Sequence, residues 1–161
     1  MIATPLAAEL AAAQSLMQSG RPMAAVPGLE QLRQRNPRSL DVHVLLAMAH
    51  WRSGDLPHAL GVVQSAQGLG KRDAQFQALA GQIYLSTGLT GESERAFRAA
   101  LTVDRRLASA AIGLSELLIG LGRPQEALQV TAPLLSGRAP DRKSTRLNSS
   151  HVVTSRMPSS A

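Results

Sequence analysis

The chain has 161 residues, 44% of them hydrophobic, with 17 Lys+Arg against 11 Asp+Glu for a net charge of +6. It holds no cysteine, which excludes disulfides and thiol chemistry and fits a reducing compartment. Residues 1–140 carry 13 basic and 10 acidic groups, scattered, and Trp51, Phe76, Tyr84 and Phe97 are the only aromatics. Nucleic-acid binding wants a basic stripe and stacking aromatics, so this balance argues against it.

The first residues, Met1-Ile2-Ala3-Thr4-Pro5, lack the charged and apolar regions of a signal peptide. Glu9 and Gln14 interrupt the first apolar run, so no membrane span is expected and the cytoplasm is the expected location. Apolar spacing near 3.6 residues then predicts helices over about 5–18, 22–35, 40–53, 57–67, 74–87, 91–103, 108–121 and 124–136. Gly20, Gly54, Gly88 and Gly122 end every other helix, where a left-handed residue is favourable only without a Cβ. Pro22, Pro57 and Pro124 suit the first turn of the helix that follows. Pro27-Gly28 and Pro133 fall inside second helices, where proline removes a hydrogen bond, so local kinks are expected on the outer wall.

Those four glycines stand 34 residues apart. Five residues after each comes a small residue (Ala25, Ala59, Ser93, Ala127), and seven before each comes another (Ala13, Ala47, Gly81, Ser115). Small side chains at a fixed period mark the places where paired helices approach most closely. A 34-residue period in an alanine- and leucine-rich chain is the mark of stacked helical hairpins. The runs Leu45-Leu46-Ala47-Met48-Ala49, Leu79-Ala80-Gly81 with Tyr84, and Arg123-Pro124-Gln125-Glu126-Ala127-Leu128 carry the pattern in three copies. In these residues the chain resembles the tetratricopeptide repeat family over about residues 5–140.

The resemblance implies an all-α, right-handed superhelical solenoid of about four antiparallel hairpins, with repeats over about 6–39, 40–73, 74–107 and 108–140. In that family the first helices line a concave surface. Carried over to this chain, the groove-facing residues lie three, six and ten positions before each glycine. They are Leu10, Gln14 and Met17; Val44, Met48 and Trp51, with Arg52 beside them; Ala78, Gln82 and Leu85; and Ile112, Glu116 and Ile119. Met17, Met48 and Trp51 are expected to form its most adhesive part, because methionine and tryptophan suit adaptable contacts. Packing between adjacent first helices is the competing use of the same positions. A carboxylate clamp of lysines and asparagines is not expected, since apolar residues and Gln14 occupy the first of those places.

The site expected is a groove for a protein or peptide partner, with no catalytic residue, metal or cofactor. His43 and His50 are seven residues apart on one helix, about 10 Å, and His58 is on the next. They read as separate packing or solvated histidines. Residues 141–161 follow a different rule. Asp141–His151 and Ser155–Ala161 resemble the translation of a short-read sequencing adapter, with Val152, Val153 and Thr154 spanning a sample index. That stretch is expected to be a non-native, disordered tail, and the natural protein to continue beyond Pro140. A leucine-rich last hairpin (Leu117, Leu118, Leu121, Leu128, Leu134, Leu135) is then expected to self-associate or fray. A second reading makes the array the N-terminal region of a larger bacterial enzyme, such as a sulfotransferase with tetratricopeptide repeats.

Overall fold

The computed structural model describes residues 4–136. The expectations about the tail, including the adapter-like string, lie outside these residues. Eight helices follow one another: α1 Pro5–Gln18, α2 Pro22–Arg35, α3 Leu40–Arg52, α4 Leu56–Gly70, α5 Ala74–Ser86, α6 Thr90–Val103, α7 Ala108–Gly120 and α8 Pro124–Ser136. Most ends fall within a residue of the sequence reading. The exception is α4, which runs three residues past its predicted end at 67, through Gly68 to the buried Gly70. Gly70 lies directly under the Phe76 ring, so the bare backbone there serves packing rather than termination. Pro27 and Pro133 both sit within continuous helices, at exposed and half-buried positions.

The four periodic glycines have φ of +77°, +82°, +79° and +74°, the left-handed conformation the sequence predicts for them. Each turn closes with the same backbone bond, from the residue after the glycine back to the carbonyl of the residue four before the glycine. These bonds are Arg21 to Leu16, Asp55 to His50, Leu89 to Tyr84 and Arg123 to Leu118, at 2.8 to 2.9 Å. They satisfy carbonyls that the helix end would otherwise leave unpaired. Helix starts are fixed by side chains as well: Thr4, Asp55 and Asp73 accept the N–H of Ala7, His58 and Phe76 respectively.

The hairpins bury two apolar clusters. One holds Leu29, Leu32, Val42, Leu46, Val63, Phe76 and Ile83 under the first three hairpins. The other gathers Phe97, Ala100, Ala110, Leu114 and Leu118 between the third and fourth. Phe97 is fully buried and stands where a Cβ on either Gly81 or Gly113 would be, at 2.6 and 2.5 Å. The small residues five after the glycines, Ala25, Ala59, Ser93 and Ala127, are all buried, and Ser93 donates its hydroxyl to the Gly81 carbonyl at 2.8 Å.

Curvature follows from which helices touch. Among the described residues, the backbones of α1 and α3, α3 and α5, and α5 and α7 approach closely, whereas those of the second helices stay farther apart across hairpins. First helices therefore crowd together on the inner wall, and second helices splay on the outer one. The fold is a tetratricopeptide-type solenoid, and its inner wall is the face that can enclose a ligand.

Candidate functional site on the inner wall

On α3, Val44, Met48 and Trp51 are spaced four and three residues apart and so share one helical face. All three are half-buried and rest on the larger apolar cluster while keeping an open side. On α5, Ala78 and Gln82 face them, and the two helices line an open cavity of about 420 Å³. Gln75 and Leu79 complete the α5 wall, and Ser109 closes it from α7. The lining is largely apolar with amide and hydroxyl groups at its edge, a chemistry suited to a bulky side chain with its backbone held by hydrogen bonds.

Trp51 is held in place by a hydrogen bond. Trp51 donates its indole N–H to Ser86 Oγ at 3.0 Å, and that hydroxyl donates in turn to the Gln82 carbonyl at 2.9 Å. Gln82 reaches across to α7, where a Cβ on Gly113 would stand 2.7 Å from its Nε2. A hydrogen bond thus joins α3 to α5, Gln82 packs against α7, and Trp51 and Met48 line the cavity.

The structure brings together Val44, Met48, Trp51, Ala78 and Gln82, and separates the rest of the expected groove. Met17, expected in the groove, is instead 3% exposed and belongs to the buried apolar cluster. Leu10 is half-buried against the same core, and Leu85 against the second cluster. Gln14 and Arg52 are exposed but lie apart from the cavity lining. On α7, Ile112, Glu116 and Ile119 are exposed and form no wall of it. Inter-helix packing therefore takes the first repeat, while the second and third keep an opening. Gln75, Leu79 and Ser109 lie outside the set expected from the sequence. Gln75 was within reach, since it sits three residues before Ala78 on one face; Ser109 depended on the lean of α7.

The histidines also depart from expectation. His43 and His50 are both 5% exposed, as packing residues should be. His58, however, stacks on His50 with ring centroids 5.2 Å apart and 20° between planes. Asp55 lies between their Nδ1 atoms, 3.1 Å from His50 and 2.8 Å from His58. The hydrogen bond from His58, then its backbone N–H and charge, hold the Asp55 carboxyl below the usual carboxylate range. Three groups able to hold a metal thus converge within 4.8 Å, where the sequence reading kept them separate. The signal was the turn at Gly54, which folds the chain back on itself.

On the outer side, Arg98 and Arg123 bridge Glu94 and Glu126 at 2.7 to 3.2 Å, tying α6 to α8. Hydrogen bonds from Arg98 and then Arg123 lower the Glu94 carboxyl, and a bond from Arg123 lowers that of Glu126. The Arg123 guanidinium is correspondingly raised, chiefly by Glu126.

Eight helices in four hairpins, a glycine turn at each 34-residue step and an inner wall of first helices define a helical-repeat scaffold. The profile described as "Tetratricopeptide repeat" matches residues 10–75 and 78–140, and the chain belongs to that family. Among solved structures it is similar to TTC0263, a thermophilic tetratricopeptide protein of Thermus thermophilus. That pair shares 23% identity at a TM-score of 0.73, covering 94% of this chain and 82% of that one. MamA is similar at 18% identity and a TM-score of 0.74, over 88% of this chain and 81% of that one. Pseudomonas aeruginosa pilF is similar at 17% identity and a TM-score of 0.74, over 81% of this chain and 60% of that one. At these identities the likeness concerns the fold. No curated protein sequence matches the chain.

Proposed function

We propose that this protein is a non-catalytic scaffold that holds a peptide or helix of a partner protein against the inner wall between α3 and α5. The family and its fold support a protein-interaction role in general. One observation carries the specific reading: Val44, Met48, Trp51, Ala78 and Gln82, from two helices, line a single cavity of about 420 Å³. Its size and lining suit one large apolar side chain, such as leucine or phenylalanine, on a short segment. Gln75, Gln82 and Ser109 line the same cavity and would offer hydrogen bonds to the segment's backbone. Met48 adapts to the shape of the guest, and Trp51 supplies rigid area.

The test is a selection of short peptides from a random library on the purified chain, with the winners titrated into variants. Met48→Glu puts a charge on the cavity wall and is expected to weaken selected peptides by roughly tenfold or more. Arg95→Glu, on the outer wall, is expected to leave them unchanged. Equal losses in both variants, or none in Met48→Glu, would place the binding surface elsewhere.

A further inference from the structure

The turn between α3 and α4 carries a group of side chains that the other three turns lack. Relative to each glycine, the residue four before is Leu16, His50, Tyr84 or Leu118. The residue after is Arg21, Asp55, Leu89 or Arg123, and the residue four after is Ala24, His58, Glu92 or Glu126. Only the second turn places imidazole, carboxylate and imidazole at those three positions. The turn's backbone bond from Asp55 N–H to the His50 carbonyl, 2.9 Å, returns Asp55 to the end of α3. The first turn of α4 then delivers His58 to the same carboxylate. Repetition of the fold explains the geometry but not the choice of residues.

His50 poses a second question. Its side chain is 6% exposed, its Nδ1 is hydrogen-bonded to Asp55, and its Nε2 is buried without a partner. The Glu30 carboxylate on α2 faces that nitrogen, with Oε1 at 4.0 Å. Glu30 is itself bonded to Arg33 through Oε2 at 2.8 Å. A neutral His50 that donates its Nδ1–H to Asp55 would turn a bare lone pair toward a carboxylate, an arrangement that costs free energy when buried.

A metal ion resolves both. We propose that His50, Asp55 and His58 bind one zinc ion through the two Nδ1 atoms and a carboxylate oxygen. Imidazole nitrogen and carboxylate oxygen are favourable zinc ligands, and three of them leave a fourth position for water. One donor atom from each residue lies within 4.8 Å of the other two, both Nδ1 atoms are within 3.1 Å of the Asp55 carboxylate, and the exposed His58 ring has the freedom to close the remaining gap. On binding, the His50 proton passes from Nδ1 to Nε2, and His58 likewise ligates as the tautomer protonated on its exposed Nε2, any excess proton going to solvent. The lone pair of His50 Nδ1 goes to zinc, and its new Nε2–H faces Glu30. Metal-bound histidines usually donate their second nitrogen to a carboxylate in this manner, which makes Glu30 a positioning residue. The ion would staple the end of α3 to the start of α4, outside the inner-wall cavity, so this inference is independent of the peptide reading.

The experiment is calorimetric titration of zinc chloride into tag-free, chelator-treated full chain, with thermal melts on the same samples. The expected result is one zinc per chain and a melting temperature that rises with zinc. His58→Ala removes an exposed ring, keeps the fold, and is expected to abolish both effects. Glu30→Gln keeps the three ligands and is expected to weaken zinc roughly tenfold. Nitrogen NMR of the His50 ring is expected to show its proton move from Nδ1 to Nε2 on zinc addition, a change no structural role would produce. Absence of binding to the wild-type chain overturns the proposal, as does unchanged affinity in His58→Ala. So does a His50 ring that is doubly protonated and indifferent to zinc; the trio would then be a proton-linked hydrogen-bond cluster.

Discussion

Trp51 on α3 and Ser86 on α5 are joined by an indole N–H to hydroxyl bond of 3.0 Å, across the junction of the second and third hairpins. The bond fixes the one tryptophan in the chain at the rim of the inner-wall cavity and couples two repeats through a side chain. Trp51→Phe keeps most of the ring area and loses the bond, an expected cost of about 1 kcal/mol. Trp51→Ala also loses a half-buried aromatic surface and is expected to cost about 2–3 kcal/mol. Urea melts of the two variants check the order. A Trp51→Ala chain as stable as Trp51→Phe would mean that the ring does not bridge the repeats.

Glycines with different roles should respond oppositely to alanine. Gly61 lies within α4 with open space around the position of a Cβ, so Gly61→Ala is expected to stabilise the chain by about 0.5–1 kcal/mol. At Gly113 the added carbon meets Phe97 at 2.5 Å and Gln82 at 2.7 Å. Overpacking there costs about 1–3 kcal/mol and outweighs the helical gain, so Gly113→Ala is expected to destabilise. Gly54, at φ +82°, has room but the wrong conformation for alanine, with an expected loss of about 1–2 kcal/mol. Thermal melts of the three variants give the signs directly.

Acid should loosen the last hairpin first. In the folded chain the Glu94 and Glu126 carboxyls titrate below their ordinary value of 4.5 because Arg98 and Arg123 bond the charged form. The unfolded chain therefore binds more protons near pH 4, and stability rises with pH through that window. The contribution is complete above about pH 4.5 and is lost as pH falls through the lower folded values. Glu94→Gln is expected to flatten the acid limb of the melting temperature between about pH 5 and 3. The pairs are partly exposed, so added salt should reduce the wild-type effect. An acid limb that is identical in the variant would remove the network from the account.

The fourth hairpin leaves apolar side chains exposed: Ile119 at 59%, Leu128 at 64% and Leu135 at 67%. In the second and third repeats the position of Ile119 is filled by Trp51 and Leu85, which are half-buried beneath a following helix. We expect the chain to self-associate through this face with rising concentration, and Ile119→Glu to oppose it. Sedimentation velocity over a range of concentrations reads the outcome. A monomer at every concentration would contradict the expectation.

The fold was legible because its determinants are local and repeated. Gly20, Gly54, Gly88 and Gly122 announce left-handed turns, and the prolines after three of them announce helix starts. The Gly70 position escaped because a glycine can also serve a neighbour's ring, and Phe76 is distant from any helix-stop pattern. The inner wall was legible only in its middle. Helical spacing places Val44, Met48 and Trp51 on one face, but whether the core or solvent takes Met17 depends on how closely the helices stack. The His50, Asp55 and His58 group was hidden for a related reason. A count along one helix separates His43 from His50, whereas the bond that closes the turn at Gly54 joins His50 to residues beyond it.

A partner segment is expected to sit between α3 and α5. The most direct measurement is amide and methyl NMR of the chain with a library-selected peptide. Shift changes concentrated on Val44, Met48, Ala78 and Leu79, and absent from Ala99 on the outer wall, are the predicted result. Changes clustered on α4 and α6, with the inner wall silent, would contradict it.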